Sequence, residues 1–254
     1  MNHSKKLTEI KIWNEAWANL PLPQVLKSSA NPYYFDLLDA LFHRYLPSDA
    51  RFEFLDIGCA PGRWLHYFWS KFGYKVSGID NSPVGIEITS QNLTILGVQS
   101  QIYSLDVLQF KSDKRYDVVF SFGVVEHFLP PYEIIDKHIE LTKKGGYVVI
   151  GVPNIKKAIY GPLQWMVNRE NLNGYIHISD EDLATYLKEK LQILYCGYVG
   201  VLCFYLLNIH PKRKILLRIV NTIQFLLDKI LRAFRVTKET KKFSPYIFII
   251  GKKL

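Results

Sequence analysis

The chain has 254 residues, of which 48% are hydrophobic, and it carries a formal net charge of +9. This composition excludes an intrinsically disordered protein, and the length fits one domain with insertions or a small appendage. Cys59, Cys196 and Cys203 form no CxxC pair and no zinc-binding spacing, so we predict a reducing compartment and no structural metal. The absence of a secretory h-region and of any run of about 18 uncharged apolar residues favours a cytoplasmic protein.

The first 48 residues are predicted to be helical. Apolar residues recur at near-helical spacing over 5–19, and a second apolar helix is predicted from Asn31-Pro32 to Tyr45. The first segment contains Trp13 and Trp17, and aromatic side chains of this size bury large areas wherever they pack.

The stretch from Phe52 to Trp64, FEFLDIGCAPGRW, predicts a strand, a tight loop and a helix. Small residues in such a loop allow a ligand to approach the backbone and the positive end of the following helix. A dinucleotide fingerprint requires glycine at the first, third and sixth positions, but counting from Gly58 these last two are Ala60 and Arg63. The sequence therefore argues against an NAD site.

The segment Asp56-Ile57-Gly58-Cys59-Ala60-Pro61-Gly62 resembles the first motif of class I S-adenosylmethionine (SAM) dependent methyltransferases, (D/E)-x-G-x-G-x-G. Ala60 departs from this pattern, because the family usually has its middle glycine there. The resemblance implies a SAM site running from Asp56, in which Gly58, Ala60 and Gly62 approach the methionine part of the cofactor. It also suggests that residues 1–48 form a lid, although packing of Trp13 and Trp17 on the sheet is an equally open interpretation.

Two acids follow the next two predicted strands. Asp80, with Asn81 beside it, ends the strand Tyr74–Ile79 and lies 22 residues beyond Gly58, a position suited to binding both ribose hydroxyls. The helix Pro83–Leu96 and the strand 102–105 lead to Asp106. The resemblance implies that Asp106 accepts a hydrogen bond from the adenine amino group and that Val107 packs on the ring. A solvated acid at a strand end is the alternative for each carboxylate.

The apolar strand Tyr116–Phe120 is typical of a central parallel strand and runs into Ser121-Phe122-Gly123-Val124-Val125-Glu126-His127-Phe128. This segment resembles the fourth motif of small-molecule methyltransferases, in which (L/V)-E-H opens the next helix. Ser121 becomes a predicted cofactor contact, and Glu126 and His127 become catalytic candidates. His127 is either a general base or a structural residue partnered by Glu126. The Asp/Asn-Pro-Pro-Tyr/Phe signature of amino methyltransferases is absent.

The remaining pattern predicts an α/β fold. A helix over 134–141, ended by Lys143-Lys144-Gly145-Gly146, precedes a fifth strand, 147–152. Helix 180–190 precedes a sixth strand within 191–209, and the last strand is 245–251. We expect a doubly wound, mostly parallel seven-stranded sheet with helices on both faces and an antiparallel last strand.

Residues 155–179 interrupt this rhythm with an aromatic and amide-rich segment, which by the resemblance caps the acceptor pocket. His177 is a second candidate base, with a structural loop histidine as the alternative. Ser179, followed by three acids, is predicted to cap the next helix.

The positive charge is concentrated near the C-terminus. Residues 205–254 contain 12 Lys and Arg against two acids, whereas the rest of the chain is nearly neutral. Residues 216–234 place most apolar side chains on one face of a helix, so 210–240 is predicted as a basic amphipathic helical insertion before the last strand. Packing on its own domain and contact of 212–235 with an anionic membrane both fit the pattern. Nucleic-acid binding is less favoured, because phosphates do not require an apolar face.

We therefore predict a lid over 1–48 and a SAM-binding methyltransferase domain over 49–254. The predicted activity is methyl transfer to a small hydroxylated acceptor, with a sugar or lipid-linked intermediate at the cytoplasmic membrane face as the favoured class. An RNA or protein methyltransferase and a non-catalytic SAM-binding protein remain alternatives.

Overall fold

The computed structural model describes residues 4–28, 32–210 and 212–254, so the predicted helix start at Asn31 lies outside the described residues. The helices are α1 Ile10–Trp17, α2 Tyr34–Tyr45, α3 Arg63–Phe72, α4 Pro83–Ile95, α5 Tyr132–Leu141, α6 Tyr160–Asn168, α7 Asp180–Leu187 and α8 Lys214–Ala233. The strands are β1 Lys5–Lys6, β2 Glu53–Ile57, β3 Lys75–Asp80, β4 Ser100–Ser104, β5 Tyr116–Phe122, β6 Phe128–Leu129, β7 Thr142–Pro153, β8 Leu191–Val199 and β9 Tyr246–Lys253.

Seven strands form one sheet in the order β4-β3-β2-β5-β7-β9-β8. The first five in this order are parallel to one another, and β9 is antiparallel to both β7 and β8. The prediction of a doubly wound sheet with an antiparallel last strand is confirmed. The carboxyl ends of the parallel strands meet at one edge, which is where open α/β sheets bind ligands.

The two faces of the sheet are covered by separate apolar clusters. Adjacent β2 residues alternate between them, because Phe54 packs with α2 and α3 whereas Leu55 packs with α5 and α7. Phe42 of α2 and Phe68 of α3 are fully buried against Phe54. This packing holds β2, and therefore the loop that follows it, in a fixed position.

The N-terminal segment differs from its prediction in its first turn. Helix α1 begins only at Ile10, because Lys5 and Lys6 pair as a short strand with β6. The Leu7 amide extends this attachment by donating to the His127 carbonyl at 2.8 Å. Residues 4–17, which we call the N-terminal arm, are thus fixed to the segment that follows β5.

Two further local predictions are wrong. The Val125-Glu126-His127 tripeptide forms a 3-10 turn, and helix α5 starts five residues after it, at Tyr132. The Gly145-Gly146 pair does not end α5, because Thr142 is already extended and paired with Tyr116. The pairing with β5 resumes at Tyr147, and the residues between form an irregularity in β7.

The basic insertion is helical, as predicted, and a helix also forms within 155–179, where none was predicted. Residues 155–179 contain α6 and a 3-10 segment, Arg169–Gly174, and Ser179 caps α7 by accepting from the Asp182 amide at 3.0 Å. Strand β8 ends at Val199, within the predicted segment 191–209, and α8 occupies the basic insertion. Within the described ranges, no helix combines the length and apolarity needed to cross a membrane.

Candidate active site

A cavity of about 260 Å³ opens at the carboxyl edge of the parallel strands. Its wall contains residues from the loops after β2, β3, β4 and β5 and from the N-terminal arm. The predicted cofactor residues that line it are Gly58, Ala60, Asp80, Asn81, Asp106 and Val107. Among the described residues, no group of three His, Cys, Asp or Glu side chains is arranged to hold a metal ion.

The loop after β2 requires glycine at Gly58. Its φ of +74° lies in the left-handed region, and a Cβ there would lie 2.5 Å from Cγ2 of Val124 on the opposite wall. The departure at Ala60 fits because its methyl group faces Gly85 of α4, where an added Cβ would lie only 2.9 Å away. The loop therefore keeps an open backbone surface despite its alanine.

Asp80 fixes the loop through its carboxylate. Oδ2 accepts from the Ala60 amide at 3.2 Å, and Oδ1 accepts from the Ser82 amide at 2.8 Å. Burial raises the pKa of Asp80 above its usual range, although these amides oppose the shift. A carboxylate has further lone pairs, so Asp80 retains acceptor capacity toward the cavity.

Asp56 was predicted to contact the cofactor, but the structure places it outside the cavity wall. Its side chain is buried. Burial, together with the charge of Asp80, raises the pKa of Asp56 well above its usual range, and its Oδ2 has no hydrogen-bond partner among the described residues. Asp56 thus lies beneath the cofactor loop as an under-satisfied buried acid.

Asp106 is already engaged by the N-terminal arm. Its Oδ2 pairs with Nζ of Lys6 at 2.5 Å, and its Oδ1 accepts from the Leu108 amide at 3.1 Å. Both Lys6 and Asp106 line the cavity, and Val107 forms an apolar wall beside them. No local sequence signal points to Lys6, because the contact joins residues 100 positions apart.

His127 is the one predicted base that lines the cavity. Its Nδ1 lies 2.7 Å from the Gly174 carbonyl oxygen and 2.8 Å from Oγ1 of Thr8. Because the carbonyl can only accept, Nδ1 carries the proton, which leaves the lone pair on Nε2. Burial lowers the pKa of His127 to about 4, so the imidazole is neutral at neutral pH.

Glu126 lies beside Nε2 of this imidazole. Its Oε1 is 3.7 Å from Nε2 of His127, and its side chain is buried without lining the cavity. Burial raises the pKa of Glu126 to about 8, and Oε2 has no partner among the described residues. At neutral pH the carboxyl group is therefore mainly protonated.

Both segments that were predicted to cover the site converge on His127. The Trp13 ring meets the imidazole edge-on at a centroid distance of 5.0 Å, and Trp13 stacks with Trp17. Tyr175 approaches the same imidazole at 4.8 Å, and the Ile176 amide donates to the Glu126 carbonyl at 2.8 Å. The arm contributes Trp13 and Trp17 to the cavity wall, whereas Tyr175 packs behind it.

The structure leaves three other candidates outside the cavity. Ser121 is fully buried and hydrogen-bonds through its hydroxyl to Nε2 of His138 at 2.8 Å. Gly62, at φ +86°, is the N-cap of α3. His177 does not join His127, because its charged neighbours are Lys157, Lys241 and Asp182, and burial lowers its pKa. We therefore keep His127 as the candidate base and set His177 aside.

Arg63 is a cavity residue that sequence reasoning missed. It is the first residue of α3 and makes no ion pair within the described part of the chain. A cation at a helix N-terminus opposes the helix dipole, and a bound anion would offset that cost. Arg63 itself makes this end of the cavity suitable for a carboxylate, because the amides of the preceding loop already donate within the protein.

The family comparison identifies the chain. The model of a methyltransferase domain matches residues 30–190, which include all of the cofactor loops described above. The chain belongs to the class I SAM-dependent methyltransferases. SAM is accordingly its methyl donor, and the cradle of Gly58, Asp80 and Asp106 fits that role.

Curated relatives include ubiquinone biosynthesis O-methyltransferases. The protein from Rickettsia akari is 25% identical over 188 residues, covering 72% of each chain. The protein from Rickettsia conorii is 26% identical over 151 residues, covering 59% of this chain and about half, 51%, of that relative. The methyltransferase activity is thus shared across the family, whereas the acceptor belongs to each protein.

Solved structures with the same fold act on different acceptor atoms. N-methyltransferase NodS from Bradyrhizobium japonicum, in complex with S-adenosylhomocysteine (SAH), has a TM-score of 0.58 and 15% identity, covering 96% of this chain and 98% of that one. Geranyl diphosphate C-methyltransferase from Streptomyces coelicolor has a TM-score of 0.58 and 13% identity, covering 87% and 78%. The shared fold therefore does not identify the acceptor atom.

Proposed function

We propose that this methyltransferase transfers the methyl group of SAM to a hydroxyl oxygen of a small acceptor. The observation that carries the proposal is the neutral His127 imidazole on the cavity wall, whose Nδ1 is committed to Gly174 and whose Nε2 keeps its lone pair. Such a nitrogen is suited to accept a hydroxyl proton. The ubiquinone O-methyltransferase relatives support an oxygen acceptor.

SAM binding is assigned to the open backbone and the acids of the cavity. Gly58 and Ala60 provide the surface for the methionine part, and Arg63 is placed to pair with its carboxylate. Asp80, with Asn81 beside it, holds the ribose hydroxyls. Asp106 and Val107 hold the adenine, with Asp106 shared between the adenine amino group and Lys6.

The chain's residues then align and deprotonate the acceptor. When bound, SAM supplies a methyl group that is already activated by the positive sulfur. His127 accepts the hydroxyl proton as the oxygen begins to bond to carbon, which makes that proton more acidic and allows a weak base to act. Trp13 and Trp17 cover the cavity and limit access of water.

We further propose that the acceptor is a sugar or lipid-linked intermediate taken from the cytoplasmic face of a membrane. The aromatic residues of the arm suit stacking on a ring, and the basic helix α8 suits an anionic surface. Both features lie at the same edge of the sheet as the cavity. Protein or nucleic-acid methylation has no comparable support in the cavity wall.

The first test is calorimetric titration of SAM and SAH into the wild-type enzyme and the Asp80→Ala variant. We expect wild-type binding that is lost or strongly weakened in the variant, because two backbone amides of the cradle lose their acceptor. Asp113→Ala is the matched control, since Asp113 is exposed and outside the cavity. Equal SAM affinity in Asp80→Ala and wild type would refute the assigned cradle.

The acceptor is then tested by SAH production with phenols, sugars and lipid-linked sugars. Turnover with a hydroxylated compound, and none with its O-methylated or deoxy analogue, would establish oxygen methylation. Turnover only with an amine, a protein or RNA would overturn it. SAM binding without turnover on any acceptor would instead favour a non-catalytic role.

A further inference from the structure

Helix α8 packs on the domain through polar residues and presents its apolar face outward. Gln224, Asp228 and Leu231 are its buried residues. Seven large apolar side chains on the helix and at its C-cap are between 49% and 78% exposed, and the six other than Phe225 follow one another along one side of the helix. These six are Ile215, Ile219, Ile223, Leu226, Ile230 and Phe234. Their spacing of three or four residues places them in one row along the helix.

Hydrogen bonds fix this orientation of the helix. Asp228 accepts from the Tyr33 amide at 3.0 Å and from Gln224 at 2.8 Å, and Gln224 accepts from the Phe204 amide at 2.6 Å. Arg232 pairs with Asp36 at 2.6 Å. Turning the apolar row toward the domain would break these contacts and leave buried polar groups unsatisfied. The outward apolar row is therefore a specified feature.

Positive charge surrounds the row. Arg218 and Lys229 lie beside it on the helix, and further exposed cations precede and follow α8. These others are Lys212, Arg213, Lys214, Arg235, Lys238, Lys241 and Lys242. Over residues 212–242 the only acids are Asp228, which is buried, and Glu239, which accepts from the Gly200 amide. The surface thus combines a long apolar row with a strong excess of positive charge.

The helix shares an edge of the sheet with the cavity. The segment that contains α8 leaves the sheet at Val199 and returns at Tyr246, and both positions lie at the carboxyl edge of the parallel strands. The Tyr246 ring contacts Phe122 of the cavity wall at 4.7 Å and Tyr34 at 4.8 Å. Tyr34 adjoins Tyr33, whose amide holds Asp228. Close packing therefore connects the buried side of α8 with the cavity wall.

We propose that α8 lies flat on a bilayer containing anionic lipid, with its apolar row in the acyl boundary and its cations among the headgroups. A row about 28 Å long on one helix is sufficient for interfacial binding. A second copy of the chain fits less well, because a two-fold contact would bring the two cationic surfaces together. This inference deepens the proposed function and rests on its lipid-linked acceptor, since it names the surface from which the acceptor is taken.

The test is cosedimentation of the full chain with vesicles at low salt. One set is pure phosphatidylcholine, and in the other a third of the lipid is phosphatidylglycerol. We expect sedimentation with the anionic set, weakened by added salt, and roughly tenfold or greater weakening in the double variant Ile219→Gln/Ile230→Gln. The control is Ile95→Gln, because Ile95 is similarly exposed but ends α4, away from α8. Arg218→Gln/Lys229→Gln should bind less tightly only to the anionic set.

Three results would overturn the proposal: no wild-type binding to anionic vesicles, equal binding by the Ile219→Gln/Ile230→Gln variant, or a lipid-independent dimer that this variant dissociates. Calorimetric SAM binding without lipid is measured on the same samples. Vesicle binding that fails while SAM binding persists refutes the membrane surface alone. Absence of SAM binding by the wild type would instead refute the assigned cofactor site.

Discussion

Nε2 of His127 lies 3.7 Å from Oε1 of Glu126 in a site that disfavours charge on both groups. Burial lowers the pKa of the imidazole to about 4 and raises that of the carboxyl group to about 8. Near pH 7 the pair therefore contains a neutral base next to a mainly protonated acid. A proton arriving on His127 increases the tendency of Glu126 to ionise, so the pair can stabilise positive charge when it is needed.

Glu126→Gln is expected to raise the free energy of unfolding, and the gain should increase with pH. The folded pKa of about 8 exceeds the usual 4.5, so the folded state binds more protons and wild-type stability falls as pH rises from about 4.5 through 8. The amide cannot ionise and removes this loss, which is up to about 4 kcal/mol near pH 8. Thermal unfolding near pH 5 and pH 8 measures the difference. Glu189→Gln, at an exposed position, is the control, and a pH-independent gain would contradict the assignment.

His127→Asn is expected to lower kcat about 100-fold or more while leaving SAM affinity nearly unchanged. The proposed general base is lost, whereas the proposed cofactor cradle is formed by other residues. Thr8→Val removes one partner of Nδ1 but leaves the Gly174 bond and the base in place, so its effect on kcat should be small. Steady-state turnover and SAM titration measure the two effects. Equal losses in both variants would indicate that His127 only positions the arm.

Gly58→Ala is expected to lower both stability and SAM affinity. The left-handed φ costs a residue with a side chain about 1–2 kcal/mol, and the new methyl group would meet Val124 at 2.5 Å. Adding Val124→Ala should restore part of the loss, because it removes the clash but not the backbone strain. Denaturant unfolding and calorimetry measure the series. No recovery in the double variant would show that strain alone accounts for the effect.

Lys6→Met is expected to speed the release of SAH by up to about fivefold at low salt. The Lys6–Asp106 pair fastens the arm over the cavity, but its partly exposed position limits its value to about 1 kcal/mol or less. Salt screens such a pair, so the difference from wild type should shrink as ionic strength rises. Stopped-flow measurement of SAH dissociation tests this. The exposed Lys188→Met variant is the control. An unchanged release rate in Lys6→Met would contradict a role of the arm in retaining SAH.

The sequence by itself determined the fold class and most of the proposed cofactor cradle. Gly58, Asp80 and Asp106 each follow a predicted strand, and parallel strands bring their carboxyl ends to one edge whatever the intervening helices do. The resemblance then related this order of residues to SAM. Local chemistry also sufficed for the Ser179 cap, because its partner Asp182 is three residues away.

The tertiary structure decided what depended on distant residues. It separated His127 from His177, and it set the tautomer of His127 through Gly174, 47 residues away. It also set the orientation of α8. Helical periodicity shows which side of α8 is apolar, but the side that meets the domain is chosen by the hydrogen bond between Asp228 and Tyr33, 195 residues apart. Such contacts follow from how the chain packs, and neither partner carries a local sign of the other.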